Sequence, residues 1–146
     1  MKERRDEGID STGYLLWPSE AILTKYATSL PILDRELIKD EIRVLELGGG
    51  YSGLLGIALA RYLDSKHFEN YEILISDGNS ACEADVGVNI CNNLGDTTKV
   101  KAVTFNWENY DSFEKENGKF DLIFGADILF FRDYHDQLIN ALVSLI

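Results

Sequence analysis

The stretch Arg43-Val44-Leu45-Glu46-Leu47-Gly48-Gly49-Gly50-Tyr51-Ser52-Gly53 decides the fold of this chain. It begins with a short, largely apolar run rich in branched side chains, which is typical of a buried strand. The run ends at a glycine cluster that leads into a helical pattern over residues 54–63. Gly48, Gly50 and Gly53 fit the spacing G-x-G-x-x-G, in which glycines permit a tight turn, the approach of a ligand and close helix packing. The stretch therefore predicts the strand, loop and helix that open a nucleotide-binding α/β domain.

A glycine-rich turn can also occur without a ligand, so the next strand along the chain matters. This second strand, Tyr71 to Ser76, ends at Asp77, and the separation from Gly53 is close to the roughly 20 residues of nucleotide-binding units. A carboxylate at the end of the neighbouring strand can accept hydrogen bonds from both ribose hydroxyls. The glycine loop and Asp77 together predict a ligand that contains a nucleoside.

Glu46 distinguishes between two kinds of nucleoside ligand. A dinucleotide places its pyrophosphate at a helix N-terminus, where an acidic residue just before the first glycine would repel it. S-adenosylmethionine carries an ammonium group, a sulfonium group and no phosphate. Glu46 and Asp77 therefore favour S-adenosylmethionine over a nicotinamide cofactor. A dinucleotide oxidoreductase is the alternative, which NADH binding would reveal.

Composition excludes several classes of function. The chain has 146 residues, enough for one domain, and a formal net charge of -11 at pH 7, which would repel nucleic acid. No apolar run approaches the roughly 20 residues of a membrane span, and the N-terminus lacks the apolar segment of a signal peptide. Cys82 and Cys91 fall on opposite faces of one predicted helix and cannot form a disulfide, so they are interpreted as buried thiols. We expect a cytoplasmic or nuclear protein without a nucleic-acid partner, a membrane partner or a metal site.

Alternation of strand and helix patterns, repeated four times, predicts a parallel sheet with right-handed crossovers. Residues 1–12 are predicted to be a flexible leader and residues 13–146 the folded domain. The remaining strands are predicted over Lys99 to Trp107 and Phe120 to Asp127. Further helices are predicted over residues 21–30, with Pro18 placed at the first helical turn, over residues 32–41 and 80–93, and from Asp133 onwards. Asn79 or Ser80 is predicted to cap the helix over residues 80–93, and Gly95 is predicted to end it. The first helix is expected to bury one apolar face, formed by Ile22, Leu23, Tyr26, Ala27 and Leu30.

Two residues near the predicted ligand edge, Asn106 and Trp107, are candidate ligand contacts. Asn106 and Trp107 lie at the end of the third strand, where open α/β sheets bind ligands, and are predicted to contact adenine. Trp107 could instead cover the sheet edge. Trp17, taken alone, is interpreted as a core residue. His67 and His135 are predicted to lie on solvated surfaces without a functional role.

Four motifs in this order resemble those of the calmodulin-lysine N-methyltransferases, in the lysine-specific branch of the seven-β-strand methyltransferases. They are Trp17-Pro18-Ser19-Glu20, Glu46-Leu47-Gly48-Gly49-Gly50, Asp77-Gly78-Asn79, and Phe120-Asp121 through Ala126-Asp127-Ile128-Leu129-Phe130. The resemblance runs from about Gly13 to the end of the chain. It implies a Rossmann-like class I methyltransferase that uses S-adenosylmethionine to methylate a lysine in a protein substrate, with calmodulin as a candidate.

The same resemblance implies which residues form the site. Asp127 to Phe130 fits the D-x-x-[FY] pattern of this branch, so Asp127 is predicted to orient the lysine amine. Phe130 is predicted to line the lysine channel, with a cation–π contribution of about 0.5 to 2 kcal/mol. The alternative is that Asp127 caps the next helix and Phe130 is core. Taken with the residue patterns above, the predicted cofactor-binding residues are Trp17, Glu46, Gly48, Gly50, Gly53, Asp77, Asn79, Asn106, Trp107 and Ala126.

The chain ends at Ile146, within the helix that follows the predicted fourth strand. The full fold of the resembled family continues with three more strands, so the fourth strand is expected to lie at an open sheet edge. The chain is therefore expected to be a fragment of a longer enzyme, a truncated product or a partner-dependent chain. A non-catalytic cofactor-binding module and a small-molecule methyltransferase are the alternative functions.

Overall fold

The computed structural model describes residues 12–30, 33, 41–129 and 132–146 of the chain. Nine regular elements follow in this part, together with 3₁₀ turns at Thr12–Tyr14, Trp107–Asn109 and Arg132–Tyr134. The helices are α1 (Pro18–Ala27), α2 (Leu54–Ser65), α3 (Ser80–Leu94), α4 (Tyr110–Asn117) and α5 (His135–Leu145). The strands are β1 (Ile42–Leu47), β2 (Tyr71–Asp77), β3 (Val100–Thr104) and β4 (Leu122–Gly125). The predicted leader, apart from Thr12, and most of the predicted helix over residues 32–41 lie outside the described residues.

The four strands form one parallel sheet in the order β3-β2-β1-β4, which confirms the predicted fold class. Leu47, the last residue of β1, lies opposite Ser76 of β2 and Gly125 of β4. The loops that follow these three strands therefore leave the sheet at the same edge. Within the described residues β4 pairs with β1 alone, as expected for a strand at the edge of the sheet.

Helices cover both faces of the sheet, and successive residues of β1 alternate between two cores. Val44 packs with α1, α2 and α3, whereas Leu45 packs with α4 and α5. Both side chains are fully buried, as expected for a parallel strand between two helix layers.

The first helix has Pro18 in its first turn, as predicted, but it ends at Ala27 rather than at Leu30 and buries fewer side chains than predicted. It begins at Pro18, which suits the first helical position because proline has no N–H to satisfy there. Ala27 is buried, but Ile22 and Tyr26 of the predicted apolar face are 70% and 59% exposed. Leu23 and Ala27 are the α1 residues that pack against the core containing α2, so the buried stripe is narrower than predicted.

Helix α3 matches its prediction at both ends but not in its thiols. Asn79 caps it by accepting a hydrogen bond from the backbone N–H of Ala81, and Gly95 follows it with a φ of 71°. Cys82 is buried, whereas Cys91 is exposed, and neither forms a disulfide. The prediction of two buried thiols is wrong for Cys91, because only one face of α3 packs against the sheet.

Strands β3 and β4 are shorter than predicted. The chain leaves the sheet after Thr104 and enters the 3₁₀ turn that begins at Trp107, and β4 spans only four residues. His67 is exposed, as predicted, in the turn after α2. In the part of the chain that the structure describes, no helix is both long enough and apolar enough to cross a membrane.

Candidate cofactor site

A pocket of about 660 Å³ lies at the carboxyl edge of the sheet. This volume falls within the range of about 300 to 1,000 Å³ that is usual for small-molecule sites. Asp127 lines the pocket together with nine of the ten predicted cofactor-binding residues. These nine are Trp17, Glu46, Gly48, Gly50, Asp77, Asn79, Asn106, Trp107 and Ala126.

A second groove, between α3 and β3, has a somewhat larger volume of about 710 Å³. None of the predicted site residues lines it, and it lies along an outer strand of the sheet. Open α/β sheets bind ligands at the carboxyl ends of their strands. The pocket at the carboxyl edge is therefore the candidate site, although it is not the largest cavity.

Asp77 connects the glycine loop to the end of β2. Its Oδ2 accepts a hydrogen bond of 3.0 Å from the backbone N–H of Gly50, and its Oδ1 accepts one of 2.9 Å from that of Asn79. Two carboxylate oxygens offer about four acceptor positions, so two positions remain for other donors. Asp77 can therefore hold the loop in place and still accept hydrogen bonds from a ligand hydroxyl pair.

The glycine loop contacts the N-terminal segment of the domain at Gly13. Gly50 has a φ of 55°, and a Cβ atom there would lie 2.8 Å from the carbonyl oxygen of Gly13. The same oxygen accepts a hydrogen bond of 2.8 Å from the backbone N–H of Tyr51. A residue without a side chain is needed at position 50 because of both the left-handed backbone and this close approach.

Gly53 does not line the pocket, so the prediction that it contacts the cofactor is corrected. It precedes α2, and a Cβ atom there would lie 2.9 Å from Cγ1 of Val86 in α3. The third glycine of the pattern thus allows α2 to approach α3 closely. Its role is in packing, which the G-x-G-x-x-G spacing also allows.

Glu46 is buried, with its side chain against the first turn of α2. Its Oε2 accepts a hydrogen bond of 2.8 Å from the backbone N–H of Gly56. Burial raises the pKa of Glu46 to about 8, and the Gly56 hydrogen bond only partly opposes this effect. The carboxyl group is therefore mainly protonated at pH 7. Burial disfavours the charged form of this carboxyl group, whereas a bound cation would favour it, so the role of Glu46 as an anion at the ligand stays a prediction.

Glu20 is a pocket residue to which the sequence analysis gave no role. It is 8% exposed, and its Oε1 accepts hydrogen bonds from the backbone N–H of Leu54, at 3.0 Å, and from Oγ of Ser52, at 2.7 Å. Burial raises the pKa of Glu20, while these two bonds lower it. An acidic residue inside the Trp17-Pro18-Ser19-Glu20 motif was the available signal. The contact with α2, 34 positions away, was not visible in the local pattern.

The two tryptophans lie at different depths in the pocket wall. Trp17 is 41% exposed and lines the pocket, so its interpretation as a core residue is wrong. Trp107 lines the pocket and also packs against the core formed with α4 and α5, and its contact with adenine stays a prediction. Phe105 and Tyr134 also line the pocket and were not predicted. Phe105 is buried and stacks on Phe113 at a centroid distance of 3.9 Å.

Asp127 follows β4 with a φ of 52°, a conformation that is uncommon outside glycine. Its Oδ2 accepts a hydrogen bond from Oγ of Ser19 in α1. Tyr134, not Asp127, is the residue at the N-cap of α5, so the interpretation of Asp127 as a helix cap is wrong. Phe130 lies outside the described residues, and its predicted role in the lysine channel stays a prediction.

His135 is partly exposed, and its interpretation as a surface residue without a functional role stays a prediction. Its Nε2 lies 2.7 Å from the carbonyl oxygen of Leu129. A carbonyl oxygen only accepts, so Nε2 carries the proton and donates this bond. No group of three or more His, Cys, Asp or Glu side chains suited to a metal ion occurs in the described ranges.

A parallel sheet with helices on both faces and a glycine loop beside a strand-end carboxylate defines a Rossmann-like α/β protein. The chain belongs to the lysine methyltransferase family, whose profile matches residues 3–146. It is 34% identical over 142 residues to the calmodulin-lysine N-methyltransferase of Arabidopsis thaliana. That match covers 94% of this chain and 42% of the Arabidopsis protein, so the chain spans less than half the length of this relative.

Proposed function

We propose that this chain forms the cofactor-binding part of an S-adenosylmethionine-dependent protein-lysine N-methyltransferase. The observation that carries the proposal is that the strand-end carboxylate of Asp77, the glycine loop and Asp127 all line one pocket. Membership of the lysine methyltransferase family supports the type of reaction. S-adenosylmethionine supplies an electrophilic methyl group when it is bound.

The residues of the pocket fit the adenosine part of S-adenosylmethionine and its ammonium group. Asp77 retains acceptor positions for ribose hydroxyls, and Asn106 and Trp107 offer a polar group and a ring for adenine. Glu20 and Glu46 line the pocket beside the first turn of α2, where their carboxyl groups can receive an ammonium group. A bound cation would favour the charged forms of both carboxyl groups and lower their pKa values.

Asp127 is proposed to orient the amine of the substrate lysine. A free lysine has a pKa of about 10.4, so the amine is almost entirely protonated at pH 7 and must lose a proton to solvent before it can attack the methyl group. Desolvation of the side chain favours this neutral form. Trp17 and Tyr134 line the pocket and can exclude water from the amine. The carboxylate of Asp127 can accept a hydrogen bond from the amine and so fix its direction, since positioning supplies much of the rate in such a transfer.

The substrate is proposed to be a protein, and calmodulin is the first one to test because of the name of the Arabidopsis relative. The net charge of -11 leaves little general attraction for acidic partners. Exposed apolar side chains close to the pocket, Leu15 and Trp17 among its lining residues, provide a contact that does not depend on charge. A cytoplasmic or nuclear location is also proposed, which fits the two cysteines without a disulfide.

Calorimetric titration of the whole chain with S-adenosylmethionine, S-adenosylhomocysteine and NADH tests the cofactor. We expect binding of the first two compounds and none of NADH, and the reverse result would contradict the proposal. Incubation with radiolabelled S-adenosylmethionine and calmodulin tests the reaction, with an unfractionated protein extract as a broader acceptor. Asp127→Ala is expected to bind the cofactor and to lose transfer. Cofactor binding without transfer to any protein would favour the non-catalytic alternative.

A further inference from the structure

The first turn of α1 bridges the pocket from the glycine loop to the end of β4. On one side, Glu20 accepts hydrogen bonds from Leu54 and Ser52 at the start of α2. On the other side, the preceding residue, Ser19, donates a hydrogen bond to Asp127. Consecutive residues of one helical turn therefore connect the two loops that follow the neighbouring strands β1 and β4.

The Glu20 contacts fix the position from which Ser19 acts. Glu20 is almost fully buried and receives two hydrogen bonds, so the turn that carries Ser19 is held against α2. Pro18 restricts the backbone at the first position of the same turn. The helical turn that places the Oγ of Ser19 beside Asp127 is therefore itself held in position.

Asp127 needs such support because of its own backbone. A φ of 52° is unfavourable for a residue with a side chain, and such conformations persist only when the surroundings hold them. The bond from Ser19 uses one acceptor position of the Asp127 carboxylate, and a carboxylate has about four. Acceptor capacity therefore remains on Asp127 for an N–H group of an incoming amine.

We propose that Ser19 is a positioning residue that holds the carboxylate of Asp127 at the rim of the pocket. The part of this proposal that concerns the lysine amine rests on the proposed function. Removal of the Ser19 hydroxyl frees the Asp127 side chain to rotate and releases the backbone after β4, while the contacts of Asp77 with the glycine loop remain. A Ser19 variant should therefore bind the cofactor as the wild type does but orient the amine less well.

The test compares Ser19→Ala and Ser19→Thr in the whole chain by amide hydrogen exchange of residues 125–129. Ser19→Ala is expected to raise exchange several-fold, and Ser19→Thr, which keeps a hydroxyl, is expected to restore it. The control is Ser29→Ala, which removes a hydroxyl that bonds to the Tyr26 carbonyl after the other end of α1. Unchanged exchange in Ser19→Ala, or equal exchange in the Ala and Thr variants, would overturn the proposal.

Kinetics supply the second readout. Ser19→Ala is expected to lower kcat for lysine methylation by about tenfold to a hundredfold, with the KM for S-adenosylmethionine within about twofold of the wild type. Recovery of kcat in Ser19→Thr would support a positioning role, and an unchanged kcat in Ser19→Ala would overturn it. A wild-type protein that methylates no lysine contradicts the proposed function instead. In that case the exchange measurement still decides whether Ser19 holds Asp127.

Discussion

The backbone N–H of Gly50 donates a hydrogen bond of 3.0 Å to Oδ2 of Asp77. This bond joins the loop after β1 to the end of β2 and fixes the distance between the two parts of the predicted nucleoside site. The second oxygen of Asp77 accepts from Asn79, at the start of α3. The carboxylate thus shapes the pocket and faces it at the same time.

The first prediction concerns Asp77→Ala. The variant loses the acceptor for the ligand and for the Gly50 N–H, so affinity for S-adenosylmethionine should fall about tenfold to a hundredfold, the equivalent of one hydrogen bond to a charged group. Calorimetry on the folded variant measures this loss. Asp85→Ala, on the exposed face of α3, is the matched control and should bind as the wild type does. Equal affinity in Asp77→Ala would show that Asp77 does not bind the cofactor.

The second prediction concerns Glu46 and pH. Burial raises its pKa from 4.5 to about 8, so between these values the folded chain holds a proton that the unfolded chain has lost. The contribution of Glu46 to stability is therefore fully present below about pH 4.5 and is lost as the pH rises to about 8. The side chain in Glu46→Gln does not titrate, so this loss of stability with rising pH should be absent from the variant. Denaturant unfolding between pH 5 and pH 8 should give a flatter stability profile for the variant, with the remaining slope of the same sign from Glu20.

Glu72 provides the internal comparison for this measurement. A hydrogen bond from Lys101 is the main cause that lowers its pKa, and Arg43 adds to the effect. The contribution of Glu72 is therefore present above its ordinary pKa and is lost only as the pH falls below that range. Glu72→Gln should leave the slope between pH 5 and pH 8 as it is in the wild type. The same slope in Glu46→Gln and in the wild type would refute the assignment to Glu46.

The third prediction compares two glycines. Gly50→Ala should destabilise the fold by at least about 1 to 2 kcal/mol, because a left-handed backbone is unfavourable for alanine and the Gly13 carbonyl lies 2.8 Å from the new Cβ. Gly87→Ala should stabilise it by about 0.5 to 1 kcal/mol, because Gly87 lies within α3 and its Cβ would meet no atom within 4 Å. Thermal unfolding measures both changes. Similar shifts in the two variants would contradict this account of the loop.

The fourth prediction separates stability from binding. The Arg43 guanidinium donates to Glu72 at 2.7 Å and to the carbonyl oxygens of Asn117 and Lys119 at 2.7 and 2.5 Å. A lysine ammonium group cannot bond to these three acceptors with the planar geometry of a guanidinium. Arg43→Lys should therefore lower the free energy of unfolding by about 1 to 3 kcal/mol. Arg43 lies near the start of β1, at the sheet edge opposite the pocket, so cofactor affinity should not change.

Chemical unfolding and calorimetry test this pair of expectations. Arg61→Lys, on the exposed side of α2, is the control and should alter neither quantity. A weaker affinity in Arg43→Lys at a temperature where the variant is fully folded would show that the two edges of the sheet are coupled.

Local patterns predicted the elements that depend on near neighbours in the chain. The apolar run of β1, the helix α2 after the glycines, and α3 between Asn79 and Gly95 are all present. Their signals are hydrophobic period and capping, which act within a few residues. The burial of α1 was predicted less well, because Ile22 and Tyr26 fit an apolar stripe that the packing on α2 does not use.

The sequence by itself determined the kind of site: a glycine loop after one strand and a carboxylate after the next must meet at one edge when the strands are parallel and adjacent. Only the tertiary structure decided the pKa values and the contacts of the acidic residues in this site. It buried Glu46 and so raised the pKa of this residue to about 8, and it placed Glu20 on the start of α2 and Ser19 on Asp127. These contacts join residues that are far apart in the chain, and burial depends on everything packed around a group, so neither could be read from a local pattern.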